Sequence, residues 1–102
     1  MRTPPDRLSD DAIAEALEAL SGWQMKDAKL HREYRFKDFV TAFGWMSSCA
    51  LVAEKLDHHP EWSNVWASVT VDLTTHESKG ITERDIALAK KMETLAQRFG
   101  GR

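Results

Sequence analysis

A chain of 102 residues, 42% hydrophobic and 29% charged, holds enough apolar material for one core and leaves no room for a second domain. Its formal charge of −2 lacks the basic stripe that phosphate binding needs, so nucleic acid is not an expected partner. The single cysteine, Cys49, cannot form an internal disulfide, no apolar run is long enough to span a bilayer, and the start MRTPPDRLSDD lacks the apolar region of a secretion signal; a cytoplasmic protein away from membranes is the expectation.

Residues 1–8 (MRTPPDRL) are Pro-rich and polar and are expected to be a flexible lead-in to a single domain over residues 9–100. Ser9 has the chemistry of an N-cap, and Asp10 and Asp11 place negative charge at the positive end of a helix dipole. Ile13, Leu17 and Leu20 follow at spacings of four and three, and Gly22 stands where a helix-ending glycine belongs. Trp23–Lys26 and Leu30–Phe36 then read as strands joined by Asp27-Ala28-Lys29, a turn without the usual glycine. In the second strand Leu30, Arg32, Tyr34 and Phe36 share one face; His31, on the other, reads as a surface residue.

Asp38 can cap a second helix reaching about Leu56. Phe39, Phe43, Met46, Ala50, Ala53 and Leu56 form one continuous apolar stripe along it. Gly44 costs that helix about 1 kcal/mol of propensity against alanine and suggests a close approach of another backbone. Pro60 stops the helix, and Trp62–Trp66 and Ser68–Thr74 read as two further strands, with Val69, Val71 and Leu73 alternating against Thr70, Asp72 and Thr74. After the polar loop Thr75–Gly80, Thr82 and Asp85 have capping-box spacing, and Leu88, Met92, Leu95 and Phe99 mark a last helix. The order α-β-β-α-β-β-α predicts an α+β domain, a four-stranded antiparallel sheet with helices packed on one face. So short a chain leaves much surface exposed, and homo-oligomerisation is a common remedy.

The least ordinary stretch runs from Glu54 to Trp62 (EKLDHHPEW). It sets two adjacent imidazoles, His58 and His59, between the second helix and the third strand, with Glu54 and Asp57 beside them. Glu54 and His58 are four apart and share a face if the helix extends that far. If the third and fourth strands pair as a hairpin, His76 at the end of the fourth returns beside His58 and His59. Two chemistries use such a cluster. Imidazoles titrate near neutral pH, so one ring can donate a proton while another accepts one. Three neutral imidazoles can instead hold a catalytic zinc, although an adjacent His-His pair lacks the i, i+4 spacing of helical metal sites. The plainer readings are a polar helix exit at His-His-Pro, a cap for Asp85, and packing for Cys49 and most of the aromatics. Trp62 and Trp66 can line a pocket for a flat ligand or pack at a subunit contact.

At these residues the sequence resembles the pterin-4a-carbinolamine dehydratases, known in animals also as a dimerisation cofactor of a homeodomain transcription factor. The resemblance rests on Glu54–Trp62, Asn64-Val65, Thr75-His76-Glu77, Gly80 and Glu83-Arg84-Asp85-Ile86, and runs from about Leu8 to Phe99. Trp66 stands where many members carry tyrosine. The resemblance implies dehydration of 4a-hydroxytetrahydropterin to quinonoid dihydropterin and water, without metal or other cofactor, in recycling of the cofactor used by aromatic amino-acid hydroxylases. It places the catalytic histidines on His58, His59 and His76 and the supporting acids on Glu54, Asp57 and Asp85. Pro60, Trp62, Thr74, Thr75 and Glu77 complete the expected site, the last three as polar contacts to the pterin amide edge. A homodimer or homotetramer is implied. The rival expectations are a non-catalytic interaction protein and a zinc hydrolase with three histidine ligands.

Overall fold

A computed structural model describes residues 3–102. The elements are α1 (Asp10–Glu18), β1 (Gln24–Lys26), β2 (Lys29–Arg35), α2 (Phe39–Leu56), β3 (Glu61–Val65), β4 (Ser68–Leu73), one short 3₁₀ turn (His76–Ser78) and α3 (Glu83–Arg98). The four strands form one antiparallel sheet in the order β1-β2-β4-β3. The expected α+β order is therefore observed.

The helices start where side-chain oxygens can satisfy otherwise orphaned backbone donors. Ser9 Oγ accepts from the Ala12 N–H at 3.1 Å, and Asp38 Oδ1 from Thr41 N–H at 2.8 Å. The β1–β2 hairpin turns on Asp27 and Ala28, both with positive φ (52° and 65°). That twist suits a two-residue hairpin, and here it is reached without glycine.

One sheet face carries the core. Leu30, Tyr34, Val69, Val71 and Leu73 are buried with Trp45 and Cys49 of α2 and Leu88 and Met92 of α3. Trp45 is the centre of this packing: its ring centroid lies 4.7 Å from that of Tyr34, and its Nε1–H donates to the Met92 carbonyl at 3.0 Å. Burial pushes the Cys49 thiol up to about 12, which fits packing rather than nucleophilic chemistry.

Four expectations need correction. The stripe on α2 is only partly its core face: Ala53 is buried and Met46 packs against the core, but Phe39 and Phe43 are 46% and 54% exposed, and the buried Ala42, Trp45 and Cys49 lie off the stripe. The helix is apolar on two sides, so periodicity alone could not select the inner one. Gly44 admits the Phe99 ring, not a backbone; a Cβ there would stand 3.2 Å from a Phe99 ring carbon. His31 is buried on the outer face of the sheet, because Nδ1 pairs with Asp72 at 2.8 Å and Nε2 with Glu33 at 3.3 Å. Finally, residues 5–8 are tied down: Leu8 N–H donates to the Ile81 carbonyl at 2.8 Å and the Ser78 hydroxyl to that of Pro5. Residues 1–2 of the stretch expected to be flexible lie outside the described residues.

The β3–β4 register pairs Glu61 with Asp72 and Val65 with Ser68. The start of β3 thus lies beside the end of β4, which brings the segment before β3 next to the segment after β4. Trp66, with φ of 50°, forms the turn at the far end of this hairpin and does not share a cleft with the histidines.

Candidate active site

The cleft at that junction has a volume of about 340 Å³ and is lined by Asp57, His58, His59, Thr74, Thr75, His76 and Glu77. The convergence of three histidines from two segments is therefore present. Two features of α2 make it. The helix ends at Leu56, and Asp57 takes the left-handed conformation (φ 53°, ψ 42°), while His58 N–H reaches back to the Ala53 carbonyl at 3.0 Å. This reversal ends the helix two residues before His58 and turns the His-His pair toward the sheet.

Each histidine has a different carboxylate. His58, 9% exposed, places Nε2 2.6 Å from Asp85 Oδ1. Asp85 is fully buried at the start of α3; its Oδ2 accepts from the Thr82 N–H at 2.9 Å and from the Thr75 hydroxyl at 2.8 Å. With both Oδ2 bonds coming from donors, Oδ1 takes the His58 Nε2–H, and Nδ1 is the ring nitrogen left for other chemistry. His59 Nε2 lies 2.8 Å from Glu54 Oε1 on the surface. His76 Nε2 lies 3.8 Å from Glu61 Oε1, an ion-pair distance rather than a hydrogen bond.

The pairing expected from spacing, Glu54 with His58, is replaced by Glu54 with His59. Helical i, i+4 geometry fails once the helix stops at Leu56. Asp85 is both the cap and the partner of a site histidine: it completes the capping box of α3 with Thr82. Thr75 lines the cleft, but its hydroxyl serves Thr82 and Asp85 and its N–H donates to the Gly80 carbonyl at 3.0 Å. It braces the site from behind, leaving Thr74 as the freer polar group. Glu77 Oε1 is 3.4 Å from an Arg84 guanidinium nitrogen. Trp62 is not brought to the cleft wall; it packs toward the core with its ring 6.2 Å from that of Trp45. Pro60 is likewise outside the lining residues, where it separates the helix exit from β3. Glu61 was not singled out by spacing; the signal for it was the hairpin register, which returns the start of β3 to the end of β4. Among the described residues, no group of three His, Cys, Asp or Glu side chains is arranged to hold a metal ion, so the zinc reading gains no ligand set.

A family model described as pterin 4 alpha carbinolamine dehydratase matches residues 6–95. The chain belongs to this family. It is a family of hydro-lyases, and the match spans every element but the last turn of α3. A relative from Solibacter usitatus is 51% identical over 90 residues, covering 88% of this chain and 95% of its own; one from Brucella ovis is 52% identical over 93 residues, covering 89% and 96%. Both bear the provisional name pterin-4-alpha-carbinolamine dehydratase. The crystal structure of a protein from Brucella melitensis described as transcriptional coactivator/pterin dehydratase superposes with a TM-score of 0.87 at 52% identity, covering 89% of this chain and 99% of that one. The fold is thereby shared along nearly the whole chain.

Proposed function

We propose that this dehydratase-family chain converts a 4a-hydroxytetrahydropterin to the quinonoid dihydropterin and water, with His58 and His76 moving the protons. The observation that carries the reading is the cleft itself, in which three histidines meet and each has its own carboxylate partner.

Dehydration breaks the C4a–O bond and forms C4a=N5 from the electrons of the N5–H bond. Hydroxide is a poor leaving group, so the oxygen needs a proton as it departs, and N5 needs a base. His58 suits the base: Asp85 holds its Nε2–H, so Nδ1 presents a lone pair, and the same carboxylate stabilises the imidazolium that forms. His76, 77% exposed at the rim, suits the acid that returns a proton to the departing hydroxyl, releasing water. His59, fixed by Glu54, and the polar groups of Thr74 and Glu77 hold the pterin; Asp57 shapes the approach by turning the chain. The reaction needs no metal or cofactor in this scheme. Recycling of an aromatic amino-acid hydroxylase cofactor, in the cytoplasm, is the pathway setting that goes with this substrate. The chain has no helix long and apolar enough to cross a membrane among its described residues.

The exposed stripe of α2, with Phe39, Val40, Phe43 and Leu51, supports a homodimer or homotetramer that covers it. A non-catalytic, protein-binding role is the second reading, favoured by the same face and by the coactivator description of the Brucella melitensis protein. A stopped-flow assay on a 4a-carbinolamine generated in the flow cell separates them. Dehydration well above the buffer rate supports the enzyme; no acceleration by the intact protein leaves only the binding role.

A further inference from the structure

The three histidines are held very unequally. His58 and His59 each sit within hydrogen-bond distance of a carboxylate, whereas the acid beside His76 is shared. Glu61 Oε1, 3.8 Å from His76 Nε2, is also 2.7 Å from the Lys29 ammonium. These three side chains come from three different segments. Lys29 opens β2, Glu61 opens β3, and His76 follows β4, which lies between those two strands. The sheet register therefore delivers a cation and an anion to the edge of the cleft, on the polar outer face.

We propose that Glu61 is a positioning residue for His76, and that Lys29 sets how much of the Glu61 carboxylate His76 receives. The inference rests on the reading of His76 as the acid of the dehydration. An acid of this kind must meet the departing hydroxyl with its ring held in place, and the Glu61 carboxylate at ion-pair distance is the group that can orient the Nε2 edge of His76 at the rim. Lys29 competes for the same oxygen. Its bond to Glu61 raises the Lys29 pKa above the ordinary value, so the competitor stays charged through the neutral range. The other ionisable groups around His76 are Asp57, His58, His59 and Glu77, which line the cleft, and Asp72, opposite Glu61 in the register. Glu77 faces Arg84 and Asp72 faces His31, so both are engaged elsewhere.

The groups are exposed, and exposed pairs are weak, which sets the expected scale at about two- to fivefold in rate. Full-length Glu61→Gln is expected to lose about two- to fivefold in kcat at low salt near neutral pH, with KM little changed, because the step affected is proton delivery. Lys29→Met is expected to move kcat the other way, by up to about twofold. The double variant should match Glu61→Gln alone, since Lys29 acts only through Glu61. The Glu61→Gln deficit should shrink at about 1 M salt. A merely structural role for the pair would lower kcat in both single variants and would ignore salt. Equal losses in the two, or wild-type kcat in Glu61→Gln, overturns the proposal while leaving the dehydratase reading standing. A wild-type protein that fails to accelerate dehydration removes that reading and this inference with it.

Discussion

His58 Nε2 lies 2.6 Å from Asp85 Oδ1, while the other oxygen of the same carboxylate closes the N-terminus of α3 through Thr82 and receives the Thr75 hydroxyl. One buried side chain thus ties the last helix, the loop after β4 and a site histidine into a single unit. Moving any one of them disturbs the other two, so this region couples stability to the chemistry proposed for it.

Asp85→Asn tests that coupling. The amide keeps the size but offers one acceptor oxygen where the carboxylate offers two, so either His58 or the cap loses its partner. Stability should fall by about 1–3 kcal/mol in urea unfolding, the usual cost of leaving a buried polar group unmatched. Dehydration should slow by about 10- to 100-fold, the range typical of removing an orienting partner. Loss of stability with full turnover would mean that Asp85 serves only as a cap.

His31 predicts a pH effect on stability. Burial works against its charged ring, but the bonds from Asp72 and Glu33 outweigh it, and the folded-state pKa is raised. A raised histidine stabilises the fold fully below the ordinary value of about 6.5 and loses that contribution as pH rises through the folded value. His31→Gln should therefore narrow the gap in Tm between about pH 5.5 and about pH 8, with the wild type gaining more toward the acid side. Parallel Tm profiles for the two proteins would show that His31 contributes nothing to that dependence.

His31 also marks a limit of sequence reading. Alternation put it on the outer face correctly, but alternation cannot tell that Asp72 and Glu33 will close over the ring. The element order and the convergence of His58, His59 and His76 were legible, because strand alternation and the β3–β4 hairpin are local properties. The carboxylate partners were less so. Spacing joined Glu54 to His58 on a helix that in fact stops at Leu56, and Asp85, 27 positions away, is brought in only by tertiary packing. The inner face of α2 was illegible for a related reason: Phe39 and Phe43 offer as good a stripe as Trp45 and Cys49, and only the sheet decides between them.

That outer stripe gives a test of assembly. Phe43→Glu adds a charge where an apolar partner surface is proposed, and the residue makes no contribution to the buried core. Light scattering coupled to size exclusion should show the wild type as a dimer or tetramer and Phe43→Glu as a smaller species. A wild type that runs as a monomer across the measured concentrations would remove the proposed oligomer.

Trp45→Ala tests the core directly. The indole is fully buried, stacks near Tyr34, Phe36 and Trp62, and donates to Met92 of α3. Its removal should cost about 3–5 kcal/mol in urea unfolding. A change under about 1 kcal/mol would contradict the central place given to this ring.

The most direct test of the central claim is single-turnover dehydration of a 4a-carbinolamine by the wild type, His58→Ala and His76→Ala, with circular dichroism confirming the fold of each. If the two rings move the protons, each substitution lowers the rate by about 10²–10⁴-fold. Wild-type turnover in either variant would contradict the assignment of proton transfer to His58 and His76.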